Sequence, residues 1–350
     1  MISNKTQSGH IFLTVNAITM PKCPNIKTLT IVVDQKTNCT SLINTITSIS
    51  VNLVTIAILS RGKCGLSKCV TRYLVAMAAA DLLVIILDLI LRHIPIRYRE
   101  AFLPIYCIHA CNIHATLLDA ATDGSVWFTV AFTFNRFVAI CCQKLKTRYC
   151  KEKTADVVLG AVTVLSCLKD ITWYFLLSNQ YSRFNSPWFC RVNTDVMSSP
   201  VWGTIGFFHI ILIPGIAFVL ILLLNVFTVR HIIVASRARR QLRPHSSGES
   251  PGDPEMDNRR KSIILLFLIS GNFILLWSEL MVHSIWKCMW WLVYNSAILP
   301  AFLMKMGFML QLLSCCTNTC IYVVTQNMFR AQLKNVMKYA ITLILKLIKQ

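Results

Sequence analysis

Apolar residues fill most of the chain in long blocks, separated by short polar stretches rich in Lys and Arg. A helix rises about 1.5 Å per residue, so a block of about 20 apolar residues crosses a hydrocarbon core of about 30 Å. Seven blocks have that character: 42–60, 70–92, 108–142, 155–177, 199–234, 260–286 and 299–325. The first is the most polar, with Thr45, Thr47, Ser48, Ser50 and Thr55 inside it. The third and fifth exceed the thickness of a bilayer, so they should tilt or project beyond it. After the seventh, Phe329, Leu333, Val336 and Met337 recur at helical spacing among lysines, the pattern of a basic amphipathic helix lying on an anionic surface. These patterns predict an all-α membrane protein, a seven-transmembrane helix bundle with a short amphipathic eighth helix. Its parts would be an extracellular segment 1–41, a helical domain 42–325 and a tail 326–350.

Charge fixes the expected orientation. The chain carries 35 Lys and Arg against 15 Asp and Glu, a formal net charge of +20, yet only 14% of its residues are charged. A soluble domain has about 25%, and the basic residues lie in loops rather than on one face or tail. That distribution argues against a nucleic-acid partner and for the lipid bilayer as solvent. With the N-terminus outside, the inner loops and tail hold about twice as many Lys and Arg as the outer segments, in agreement with the positive-inside tendency. They include Arg61, Lys68, Lys144, Arg148, Arg237, Arg240, Arg260 and Lys334. The sequons Asn4-Lys5-Thr6 and Asn38-Cys39-Thr40 fall in the same outer segment, which makes Asn4 and Asn38 candidate glycosylation sites. Ile11 to Val15 is too short for the apolar core of a signal peptide, so the first span should serve for insertion. The inner stretch Pro244 to Glu255 is rich in Pro, Gly, Ser and acid and is expected to be disordered. No internal repeat of the kind that marks many transporters is found.

Five of the seven spans carry polar or aromatic residues that singly could serve packing but whose joint order is informative. These are Asn52 in the first, Asp81 in the second, Asn135-Arg136-Phe137 at the inner end of the third, Phe273 and Trp277 in the sixth, and Asn318 with Tyr322 in the seventh. Cys111 stands at the outer end of the third span, roughly 38 Å from Arg136 along a helix. In this order the chain resembles a rhodopsin-like (class A) G-protein-coupled receptor. Stretches such as Tyr73 to Met77 and Trp127 to Val130 are further similar to a vertebrate orphan-receptor group thought to sense aromatic amino acids.

The resemblance implies a plasma-membrane receptor with no catalytic residues. Such a receptor would bind an extracellular small molecule or peptide and pass the signal to a heterotrimeric G protein. It implies a Cys111–Cys190 disulfide and a switch built from Asn135, Arg136, Phe273, Trp277, Asn318 and Tyr322. It also implies a sodium and water pocket at Asn52, Asp81, Ser125 and Asn318, although a hydrogen-bonded network without an ion stands beside that assignment. Arg92, His114, Leu118, Asp119, Trp277, Glu279 and His283 are the ligand-pocket candidates. No His and Cys spacing supports a metal site beyond a sodium ion at Asp81. For the other outer cysteines, Cys23, Cys39, Cys107 and Cys288, a second bridge and free thiols both remain open.

Several positions depart from the family pattern. Asn135 stands in place of the acid before Arg136, Thr319 in place of a proline, Glu279 in place of the sixth-helix proline and Leu222 in place of the fifth-helix Tyr. Without an adjacent carboxylate, Arg136 is expected to be less restrained. Two lost prolines remove the usual cause of helix kinks. A non-signalling or heteromeric partner receptor is therefore an alternative, and a channel or transporter is a more distant one, motivated by Asp81, Asp119, Asp123 and Glu279 within spans.

Overall fold

Helix boundaries follow local chemistry. A computed structural model describes residues 47–62, 64–88, 110–181, 190–192, 208, 213–241, 254–293 and 301–349. Helix α1 (Thr47–Ser60) ends at a turn where Gly62 and Gly65 take φ of +66° and +71°, the left-handed region that glycine enters without a Cβ clash. Helix α2 (Lys68–Val84) opens on Ser67, whose hydroxyl accepts from the Val70 N–H and caps the first turn. A single π turn at 85–88 closes it. Helix α3 (Cys111–Cys141) has no side-chain cap at Ala110. Helix α4 (Gln143–Tyr149) is a short, mostly exposed helix before α5 (Glu152–Leu176). The remaining helices are α6 (Ile213–Gln241), α7 (Pro254–Val293), α8 (Ala301–Thr325) and α9 (Asn327–Lys349).

The seven expected spans correspond to α1, α2, α3, α5, α6, α7 and α8, and the tail forms α9. Three of them, over Lys68–Asp88, Cys111–Cys141 and Pro214–Ala238, are long and apolar enough to cross a membrane in their described length, and Thr47–Ser60, Ile263–Glu279 and Met309–Thr325 are shorter apolar helices. Two details differ from the sequence expectation. Helix α7 already includes Pro254 and Glu255, the end of the stretch expected to be disordered. Proline at the first helical position lacks only an N–H that would have no helical partner there. The outer connection after α5 also holds a two-stranded antiparallel hairpin, β1 (Leu177–Tyr181) with β2 (Cys190–Val192), pairing Leu177 with Val192 and Tyr181 with Cys190. Neither strand is long enough to show a period of two.

Helix α3 is the hub, packing on α2, α5, α6, α7 and both strands. Apolar side chains form three cores along it. The inner one joins Tyr73, Leu74, Phe132, Leu266, Tyr322 and Phe329. The outer one joins Cys111, Leu118, Trp173, Leu177 and Cys190. The third sets Val126 and Val130 against Ile221, Phe273 and Trp277. On the outside of the bundle, α5 and α6 expose large apolar residues, among them Val157, Leu165, Leu168, Val219, Leu223 and Val226. Such surface is unfavourable in water and suited to lipid. Threonines inside the helices return their hydroxyls to the carbonyl one turn back, as Thr129 does to Ser125 and Thr133 to Thr129. These hydroxyls are then not left bare in an apolar surrounding.

Candidate functional site

At the outer end, Cys111 and Cys190 form a disulfide with Cα atoms 5.6 Å apart, tying β2 to the first residue of α3. Both sulfurs are buried beside Leu118, Trp173 and Leu177, so the hairpin is pinned over the mouth of the bundle. His114 is buried one turn below the bridge, with its Nε2 2.8 Å from the Leu87 carbonyl oxygen. A π turn shifts backbone pairing by one residue, and Leu87 lies in that turn. His114 therefore joins α3 to α2 at the mouth. Leu118 faces the outer core. Asp119 lies within electrostatic range of Lys169. Glu279 is partly buried on α7, which passes unbroken through it. His283 belongs to the same helix, but its side chain falls outside the described residues, as do Arg92, Asn4 and Asn38 entirely.

Midway down, Asp81 is fully buried and joins three helices. Its Oδ1 accepts from the Ser125 hydroxyl at 2.6 Å and its Oδ2 from the Asn318 amide at 2.9 Å. Asn52 does not complete this node directly. Its Nδ2 donates to the carbonyls of Ser48 (3.1 Å) and Cys315 (3.0 Å), and its Oδ1 is buried with no hydrogen-bond partner among the described residues. The Cys316 thiol meets the Ser48 hydroxyl at 2.7 Å, and the Thr55 and Thr319 hydroxyls are 2.7 Å apart. Ser48, Asn52 and Thr55 follow the helical spacing of one face of α1, so a continuous polar seam joins α1 to α8. The free oxygen of Asn52, the Asp81 carboxylate and the Ser125 hydroxyl are hard donors of the kind an alkali cation takes. Among the described residues no cluster of three or more His, Cys, Asp or Glu could hold a metal ion.

Phe273 and Trp277 stack at 5.4 Å between ring centroids, and Phe218 lies 6.2 Å from Phe273, so α6 and α7 share an aromatic contact under the mouth. At the inner end of α3, Asn135 is fully buried and accepts a hydrogen bond from Arg136 Nη2 at 2.7 Å. The Arg136 guanidinium also sits over the Phe132 ring at 5.9 Å, within cation–π range. Arg136 is thus held without a carboxylate, which tempers the expectation of a loose switch. Tyr322 is buried edge-on to Phe329 of α9, and its hydroxyl has no partner among the described residues.

One buried charge cluster was missed by the site reading of the sequence. Lys169 on α5 forms ion pairs with Asp123 of α3 and, at 3.1 Å, with Asp170, whose side chain is fully enclosed. Lys169 and Asp123 are themselves largely shielded, with exposures of 23% and 15%. The sequence shows these charges inside spans, but only the register of α3 against α5 brings them together. At the inner end of α5, Arg72 of α2 grips Glu152 at 2.7 Å and Lys68 of α2 stands 3.8 Å from it. The Arg72 hydrogen bond holds the Glu152 carboxyl below its ordinary range.

Residues 51–322 match the family described as 7 transmembrane receptor (rhodopsin family). Among individual proteins, the chain is 26% identical over 125 residues to G-protein coupled receptor 39 of Bos taurus, covering 35% of this chain and 27% of that receptor. It is 24% identical over 122 residues to the Mus musculus receptor of the same name, covering 35% and 26%. The match thus spans about a quarter of the length of these curated relatives. The family match takes in every span, from the helix bearing Asn52 to Tyr322 at the end of α8. This chain belongs to the rhodopsin family of seven-transmembrane receptors.

Proposed function

We propose that the protein is a plasma-membrane receptor that binds an extracellular small molecule or peptide and activates a heterotrimeric G protein at its inner face. The observation that carries this proposal is the node at Asp81, where one carboxylate holds α2, α3 and α8 together. A ligand between the outer ends of the helices would favour one arrangement of these helices by binding it more tightly. The change would reach Arg136 through the α3 hub. The inner half of α6 presents a largely apolar groove, lined by Leu222, Val226, Val229, Ile233 and Val234, to which Arg230 and Arg237 add positive charge. In this arrangement residues 1–41 lie outside with glycans at Asn4 and Asn38, residues 42–325 form the receptor body, and 326–350 rest on the inner leaflet. A sodium ion at Asp81 would supply a removable positive charge to the node. Arg92, His114, Asp119, Trp277, Glu279 and His283 would surround the ligand.

The test is a panel of G-protein dissociation assays at matched surface expression, with aromatic amino acids and small peptides as probes. Dissociation of at least one G-protein class, abolished by Arg136→Ala, is the expected result. A second reading, a partner receptor that does not signal itself, is favoured by α8 running unbroken through Thr319 and pinned there to Thr55. Silence across the whole panel, with co-purification of a signalling receptor, would establish that reading instead. Probe-independent ion flux in reconstituted vesicles would turn the assignment to a channel.

A further inference from the structure

The side-chain amide of Asn135 has two ends, and both are occupied. Its oxygen takes Arg136. Its nitrogen points at two sulfurs, Cys69 Sγ of α2 at 3.3 Å and Cys150 Sγ of the connection between α4 and α5 at 3.6 Å. The Cys150 thiol also lies 3.9 Å from the Asn135 carbonyl oxygen. Cys69 and Asn135 are buried and Cys150 is half-buried, so water does not compete freely for these groups. An amide that lacked partners for its N–H groups could turn over and present nitrogen, not oxygen, to the guanidinium.

We propose that Cys69 and Cys150 are positioning residues of the inner switch: their sulfurs orient the Asn135 amide so that its oxygen holds Arg136 in the resting receptor. This inference rests on the proposed role of Arg136 in coupling. The two thiols do for a neutral Asn what fixed charge does for a carboxylate, since a carboxylate offers oxygen from either end and needs no orienting. Burial pushes the Cys150 thiol above its ordinary range, and its S–H is directed at the Asn135 carbonyl oxygen, which leaves the sulfur lone pairs to the amide. Sulfur is a weak acceptor, and two of them acting on one N–H₂ group make a restraint that is easily released. The clamp also joins α2, α3 and the inner connection at one amide, so movement of any of the three disturbs the hold on Arg136.

The test compares Cys69→Ala/Cys150→Ala with Cys69→Ser/Cys150→Ser, both in the full chain at matched surface level. Serine keeps a hydroxyl acceptor and alanine removes it. Losing one modest hydrogen bond corresponds to about a 2- to 10-fold change in an equilibrium. The alanine pair is expected to raise basal nucleotide exchange by about that factor, with the serine pair staying near the parent. A genetically encoded fluorescent residue in place of Arg260, on the inner part of α7, reports the same shift in purified receptor without any G protein. If no G protein responds but the alanine pair moves the fluorescence and the serine pair does not, the clamp stands and the coupling role fails. Alanine and serine pairs that both match the parent in fluorescence, or that deviate equally, would overturn the clamp.

Discussion

Asp81 shows how one side chain can carry both structure and response. Its two oxygens accept from donors on two other helices, so an amide at this position must present a nitrogen to one of them. Asp81→Asn should therefore lose about 1–3 kcal/mol of stability, read as a lower melting temperature in lipid nanodiscs. If a sodium ion binds here, added sodium should raise the melting temperature of the parent and leave that of Asp81→Asn unmoved. Equal sodium shifts in the two proteins would exclude the site. Glu152 offers a contrast at the surface. Its carboxyl is held low by Arg72, so the bond contributes stability that is fully present above the ordinary carboxyl pKa of 4.5 and is lost as pH falls through the lowered value. The difference in melting temperature between the parent and Glu152→Gln should be present at neutral pH and shrink under acid conditions below that range. A constant difference across pH would show that shape, and not charge, connects α2 to α5. Single residues were the least legible level in the sequence. Asn52, expected in the pocket with Asp81, binds the α8 backbone at Cys315, a carbonyl partner that no side-chain pattern announces.

Between elements, the seam of α3 against α5 carries a buried electrostatic cluster. Lys169 faces Asp123 and Asp170 in a surrounding from which water is mostly excluded. Removing one partner of a buried pair typically costs about 3–5 kcal/mol, because a charge is left uncompensated. Lys169→Met should accordingly reduce surface expression and melting temperature sharply, and adding Asp123→Asn should recover part of the loss by removing a stranded carboxylate. Such recovery is the non-additivity expected of contacting residues. A Lys169→Met protein that melts with the parent would show the carboxylates to be protonated and the lysine dispensable. The spans themselves were legible, since length and hydropathy in lipid leave a helix as the only way to satisfy each backbone group. The Lys169 contact and the β1–β2 hairpin were not. The first depends on how two helices rotate against each other, and the second on a disulfide that brings a three-residue strand to a neighbour.

Across the whole molecule, α3 runs from the disulfide at Cys111 to Arg136, the proposed switch, and the order of motifs along the chain puts both residues on one helix. What the order could not supply was the consequence of the missing prolines. Helix α8 continues without a break through Thr319, and Thr319 is bound to Thr55 of α1. In a helix the N–H at position 319 serves the carbonyl of Cys315, and a proline there would remove that donor. That carbonyl already accepts from Asn52 Nδ2 at 3.0 Å. The bundle thus supplies from α1 the donor that a proline would take away from α8. A proline inside a helix costs about 3 kcal/mol or more when nothing compensates. Thr319→Pro should cost clearly less, whereas Thr317→Pro, two residues earlier in the same helix, should show the full penalty, because no side chain among the described residues donates to the Leu313 carbonyl it would strand. Melting curves of the two variants in nanodiscs make the comparison, with Asn52→Ala/Thr319→Pro as the control that removes the compensating donor. The control should be worse than the sum of its parts. If Thr319→Pro and Thr317→Pro are equally destabilised, Asn52 does not substitute for the lost N–H, and the unbroken α8 is a requirement of this bundle and not one of two geometries it can accept.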